Sequence, residues 1–217
     1  MNEFNKWTLQ DKTHSLKTAM DFIAAASQRG DLEEVQSLWN LVDAKIPTRD
    51  AAVEAQLKTI PITVAARQGH PHVVNHLISL STFDNTNDAL NSAARNGHLE
   101  CLQALAPHYP ISMLSVALTE AACANHVDCV HELLAMNPPN IDDEYEVCLI
   151  WASANKNKPL LEHFYSRCNP DRALEISDWW EKDELEMLVH YHSPEGQRER
   201  LNESLTSNAA DKKKAKI

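Results

Sequence analysis

Glycine is scarce in this chain, 4 of 217 residues, and aromatic residues make up only 6%. So few glycines exclude the glycine-rich cradles that hold phosphates, and no G-x-x-x-x-G-K-[ST], G-x-G-x-x-G or G-x-S-x-G occurs. Runs of alternating Val, Ile and Thr bounded by Asn-Gly or Asp-Gly are missing too, which argues against an all-β fold. No apolar stretch approaches the roughly 20 residues needed to span a bilayer. The start, "MNEFNKWTLQDKTHS", lacks the basic segment and apolar core of a secretory signal. The five cysteines are scattered with no C-x-x-C, a pattern of reduced thiols in a cytoplasmic setting. Positive charge is short as well. The net charge is −11; the tail Asp211–Ile217 has one Asp and four Lys, a net +3, leaving −14 on residues 1–210. A body that acidic repels phosphate backbones, so no nucleic-acid partner is expected.

What the chain does contain is a repeat. "AARQGHPHVVNHL" from Ala65, "AARNGHLECLQAL" from Ala93 and "AACANHVDCVHEL" from Ala121 align without gaps. Looser copies begin at Ala26 ("ASQRGDLEEVQSLW"), Trp151 ("WASANKNKPLLEHF") and Trp179 ("WWEKDELEMLVHY"). The anchors are Gly30, Gly69, Gly97, Asn125, Asn155 and Asp183, spaced by 39, 28, 28, 30 and 28 residues. Gly and Asn tolerate the left-handed backbone of a turn that ends a helix. Apolar residues follow at helical spacing, as in Leu99, Leu102 and Leu105. Each unit therefore reads as helix, turn, helix and connector, and 28 residues leave no room for a crossover strand. The adjacent alanines allow close packing of neighbouring first helices. Such units stack into an all-α solenoid of about five to six repeats.

These copies resemble the ankyrin repeat, roughly T-P-L-H-x-A-A-x-x-G-H-x-x-x-V-x-x-L-L. The Ala-Ala, Gly-His and Leu-Leu features carry the likeness, over about residues 20–192 and most closely in units two to four. Ankyrin repeats run to about 33 residues, so the hairpin fingers of that family should be short or absent here. The T-P-L-H start survives only as Pro61-Ile62-Thr63, and Trp151-Ala152 and Trp179-Trp180 stand in place of the Ala pair, an altered stack or a terminal cap. The expected organisation is an arm or capping helix at 1–18, a repeat domain at 19–192, a C-terminal helix at 193–206 and a disordered basic tail at 207–217. The longer first step is filled by an added helix from about Asp50 to Leu57.

Several residues invite a chemical reading. His98 and Cys101 lie three apart, but His70, His98 and His126 recur directly after the anchor, as do Cys101 and Cys129 four after it. A recurring place has a recurring structural cause, so the histidines belong to the turn and the cysteines to the core. "HPHVVNH" offers His70, His72 and His76, and His163, His190 and His192 are further nitrogens. A zinc site needs three or four of these on one point, and no H-E-x-x-H is present, so no metal and no cofactor are expected. Cys123 and Cys148 have no motif around them. The carboxylates of 142–146 and 181–186 read as solvated connectors and helix starts.

The resemblance implies a non-enzymatic module that binds another protein on the concave face of the solenoid, as a monomer with no membrane span. The family's variable contact positions fall here on Arg67 and Gln68, Arg95 and Asn96, Cys123 and Ala124, and Ser153 and Ala154. Connector contacts would come from Asp84, Asn85, His108, Tyr109, Asp143 and Tyr145, and Arg and Tyr are common interface anchors. Arg67 and Arg95 early and Asp142, Asp143 and Glu144 late predict a groove basic at one end and acidic at the other. Short degenerate repeats also resemble those of ankyrin-like proteins of intracellular bacteria and of protozoa, and the bacterial likeness implies an effector delivered into a host cell. An enzyme or metal-binding protein using the Cys and His residues, and a structural adaptor within an endogenous complex, are the alternatives.

Overall fold

In the computed structural model, residues 12–45, 51–80, 88–138, 144–177, 185–187, 189–191 and 193–203 are described. Every regular element among them is helical. Chain contacts divide the protein into two compact units, Met1–Ile141 and Asp142–Ile217. That boundary falls inside the stretch read from sequence as one repeat domain.

Among its described residues the first unit holds four helical hairpins: α1 (Lys12–Arg29) with α2 (Leu32–Lys45), α3 (Ala51–Gln68) with α4 (Pro71–Ser79), α5 (Asp88–Arg95) with α6 (Leu99–Leu105), and α7 (Leu114–Cys123) with α8 (Val127–Ala135). The first helices form one row, α1 on α3 on α5 on α7, and the second helices another, α2 on α4 on α6 on α8. The alanine pairs sit where the first row packs: Ala65, Ala66, Ala93, Ala94, Ala121 and Ala122 are all buried. A larger side chain at any of them would force the helix axes apart.

Each hairpin turns through the same two hydrogen bonds. His70 N–H donates to Ala65 O (3.0 Å) and Gly69 N–H to Ala66 O (3.4 Å), and the pattern repeats at Asp31/Gly30, His98/Gly97 and His126/Asn125. This is a Schellman closure, which requires a left-handed residue at its centre. Gly30, Gly69 and Gly97 supply it at φ 74°, 76° and 73°, and Asn125 at φ 59°. On the second helices the buried positions lie four, five and eight after the anchor: Val73, Val74 and Leu77, then Cys101, Leu102 and Leu105, then Cys129, Val130 and Leu133. The stripe expected to start at Leu99 and Val127 thus begins two residues later, and those two are half-buried. Cys101 and Cys129 take the place of Val73, and burial pushes both thiols up to about 11. They are small hydrophobes of the core, as their recurrence implied.

The step between the first two repeats is not filled by a separate helix ending near Leu57. Ala51–Gln68 is one helix that runs through Pro61. Pro61 lacks the N–H that would bond four residues back, so one ladder bond is missing in mid-helix. The buried Pro61, Ile62 and Thr63 hold this turn against neighbours despite that loss.

The second unit is built on α9 (Glu144–Ala154), α10 (Lys158–Tyr165) and α11 (Pro170–Ile176), with α10 and α11 both packed on α9. Helix α9 is apolar on most of its surface and buries Tyr145, Cys148, Leu149, Ile150 and Ala152. Phe164 and Leu160 meet it from α10, with the Tyr145 and Phe164 rings edge to face at 6.0 Å. The acidic run at the start of α9 is not all solvated. Glu146 is buried, and its Oε1 accepts from Asn169 N–H at 2.9 Å, which anchors the entry to α11. The same carboxylate and burial hold the Cys168 thiol up at about 12, with burial the larger cause. A helix covers 194–203, inside the expected 193–206, and Ser193 Oγ caps it by accepting from Gly196 N–H.

The fifth turn corrects the sequence alignment by one residue. Its left-handed residue is Lys156 (φ 54°), not Asn155, and the closure runs Asn157 N–H to Ala152 O and Lys156 N–H to Ser153 O. Asn155 instead donates from Nδ2 to Trp151 O on its own helix, as Asn96 does to Ser92 O. The small pair is therefore Ala152-Ser153, both buried, and not Trp151-Ala152. The paired positions shift with it, from Ser153 and Ala154 to Ala154 and Asn155. Trp179, Trp180, Asp84, Asn85, Asp142, Asp143 and the tail lie outside the described residues.

Candidate functional site

The histidine that follows the left-handed residue in the second, third and fourth hairpins reaches backwards. Nε2 of His70 bonds Gln28 O (3.1 Å), that of His98 bonds Arg67 O (3.0 Å) and that of His126 bonds Arg95 O (3.1 Å). A carbonyl only accepts, so Nε2 carries the proton in each. The ring lies flat on the glycine of the preceding turn. A Cβ added to Gly30, Gly69 or Gly97 would stand 2.8, 2.7 and 2.7 Å from the Cε1 of the following histidine. These glycines thus do two jobs, a left-handed backbone and clearance for the next repeat's imidazole. The first and fifth copies differ. Asp31 accepts from Glu34 N–H and Asn157 from Leu160 N–H, each capping its own helix.

Three more of the histidines considered from the sequence can be placed in the structure. His72 Nε2 bonds Gly30 O at 2.9 Å, so His70 and His72 are both committed to carbonyls of the first turn. His76 is half-buried, and desolvation lowers its pKa, which favours the neutral ring. His190 pairs with Glu199 at 2.9 Å.

The variable positions stand at the solvent end of the first-row helices. Arg67, Gln68, Arg95 and Asn96 are all exposed, whereas Cys123 and Ala124 are half-buried. Arg95 is held in place: Nε and Nη2 fork onto Glu120 Oε2 and Oε1 of the next repeat, both at 2.6 Å. This hydrogen-bonded carboxylate raises the guanidinium's already high pKa. At 64% side-chain exposure the pair contributes little stability, roughly 0.2–1 kcal/mol. Its effect is to fix where the guanidinium points. The repeat register places Ser92 where Glu120 stands, 28 residues earlier, so no described carboxylate pairs with Arg67. Along the same face Ile60 (48% exposed) and Val116 (44%) occupy equivalent positions two repeats apart, with Ile111 (55%) beside the latter's helix start.

Two expected contacts are corrected. Tyr109 and Tyr145 are 7% and 6% exposed and present no ring to a partner. Tyr109 follows a short 3-10 turn (Ala106–His108) that folds it inward, where burial pushes its phenol up to about 12 despite a backbone hydrogen bond at Leu90. Tyr145 sits in the core of the second unit against Phe164. Ile60, Val116 and Ile111 are exposed apolar residues of the first unit that sequence reasoning missed. For Ile60 and Val116 the signal is an apolar residue five positions ahead of the alanine pair, on the side away from it.

Two rows of helices stacked through identical hairpins define the first unit as a helical-repeat solenoid. Residues 22–115 match the model for ankyrin repeats, in three copies, and this part of the chain is an ankyrin-repeat solenoid. The α7–α8 hairpin continues the same turn and histidine geometry beyond the match. No curated protein matches the chain. Ankyrin repeats are generally protein–protein interaction modules and typically not enzymes. No described helix is long and apolar enough to cross a membrane.

Proposed function

We propose that the first unit binds another protein through the solvent face of its first-row helices, the concave face in the ankyrin family. One observation carries this reading. In each repeat the alanine pair, glycine, histidine and core stripe are accounted for by stacking, and the solvent face of α3, α5 and α7 is where the copies differ. That face bears Arg67, Gln68, Arg95 and Asn96 at the turn ends, with exposed Ile60 and Val116. Solenoids of this kind present such faces as extended binding surfaces.

The test is a comparison of captures by three forms of the full chain: wild type, Arg67→Glu on the inner face and Asn75→Glu on the outer row. A partner kept by Asn75→Glu and lost by Arg67→Glu supports the assignment. A partner that ignores inner-face substitutions removes this face from the site. Action after delivery into a host cell is a second reading, supported by the shortness of the repeats. A translocation reporter fused to the chain checks it, and no transfer from an infecting bacterium would refute it.

A further inference from the structure

We infer that the partner presents an aspartate or glutamate carboxylate to Arg67, next to an apolar side chain that lies on Ile60 and Val64. The inference rests on the binding face proposed above and specifies its occupant. The protein carries its own copy of the contact. Arg95 and Arg67 are the same residue at the same place in successive repeats, and the Arg95 fork closes on Glu120 through two bonds of 2.6 Å. One repeat earlier the acid is replaced by Ser92, which is short and half-buried. The fork geometry of a guanidinium matches a carboxylate in two parallel bonds, so the ligand that fits Arg67 is the one that Arg95 already holds. Ser92 leaves the space for it and offers its hydroxyl as a third donor.

The apolar half follows from helix geometry. Ile60, Val64 and Arg67 share one side of α3 at spacings of four and three. Seven residues of helix rise about 10 Å, so Ile60 lies about that far from Arg67. An extended segment covers the same distance in three residues at about 3.3 Å each. The fitting motif is an acidic residue with an aliphatic or aromatic residue three positions away. Arg95 is closed to such a ligand while Glu120 holds it.

The probe is a random dodecapeptide library displayed on phage and selected on the full chain. The expected peptides carry the acidic–apolar pair and compete with one another. They bind at least 10-fold more weakly to Ser92→Glu, which supplies the internal acid, and to Arg67→Glu, whose exposed side chain has no role in folding. Ser92→Glu should melt no lower than wild type, as a second Arg–Glu fork forms. Peptides that are weakened by Ile60→Asp or Val116→Asp but unaffected by Ser92→Glu and Arg67→Glu would overturn the carboxylate while leaving the binding face standing. Peptides indifferent to all four substitutions, or no enrichment at all, would count against both.

Discussion

Replacing Gly97 by alanine separates the two jobs assigned to the glycine. The backbone there stands at φ 73°, which costs an L-residue roughly 1–2 kcal/mol. The new Cβ also strikes the His126 ring, 2.7 Å from Cε1, so the imidazole must leave the Arg95 carbonyl that it bonds at 3.1 Å. Losing that bond adds about 1 kcal/mol. The expected total is about 2–3 kcal/mol. In a His126→Ala background there is nothing to strike, and the cost should fall to the backbone share of about 1–2 kcal/mol. Urea unfolding of the four proteins, followed by far-ultraviolet circular dichroism, gives the coupling directly, expected at about 1 kcal/mol. Equal costs of Gly97→Ala in both backgrounds would refute the clearance role and leave only the left-handed turn.

Lys156→Gly should stabilise by about 1 kcal/mol because φ is 54° there, whereas Asn155→Gly should destabilise by losing the bond to Trp151 O; the reverse order in thermal melts would restore the Asn155 anchor. Cys101 and Cys129, buried and held near 11, should resist a maleimide at pH 8 in the folded protein and react only as it unfolds; prompt labelling of both would place them at the surface. Their folded pKa values lie above the ordinary 9.0, so the folded state retains protons that the unfolded chain loses, and stability should fall as pH rises from about 9 to about 11. Arg95→Glu should cost under about 1 kcal/mol, be largely restored by adding Glu120→Arg, and shrink in 1 M salt; a salt-independent loss above about 2 kcal/mol would mean that the fork is structural.

The hairpins, their turn residues and the stacked alanines could be read from the sequence because each is a local requirement repeated at constant spacing. The fifth turn could not, since sequence preference favours Asn155 for a left-handed backbone and the structure puts Lys156 there. Hydrogen-bond closure decides the position, and the two asparagines flanking Lys156 are used as caps. The tyrosines misled for a related reason: Tyr is common at interfaces, but Tyr109 follows a 3-10 turn that folds it inward and Tyr145 lies in the first turn of α9, buried against Phe164. The reach of His70, His98 and His126 was in principle legible. Each follows a copy that has glycine at its turn, and the copy anchored on Gly30 has Asp31 instead. The Arg95–Glu120 fork was not, because a 25-residue separation names no pair until the helices are stacked.

The histidine bridge gives the stack a direction and a standard joint. Gly30, Gly69 and Gly97 are each shaped for the imidazole that comes after, and they are interchangeable in that respect. Excising residues 70–97 would bring Gly69 next to His98 in sequence, with Gly30 still meeting a histidine and Gly69 meeting His126. A gene for this chain can therefore lose or duplicate a 28-residue block between those glycines without inventing a new seam. Asp31 and Asn157, which stand in the histidine's place in the first and fifth copies, each cap their own helix.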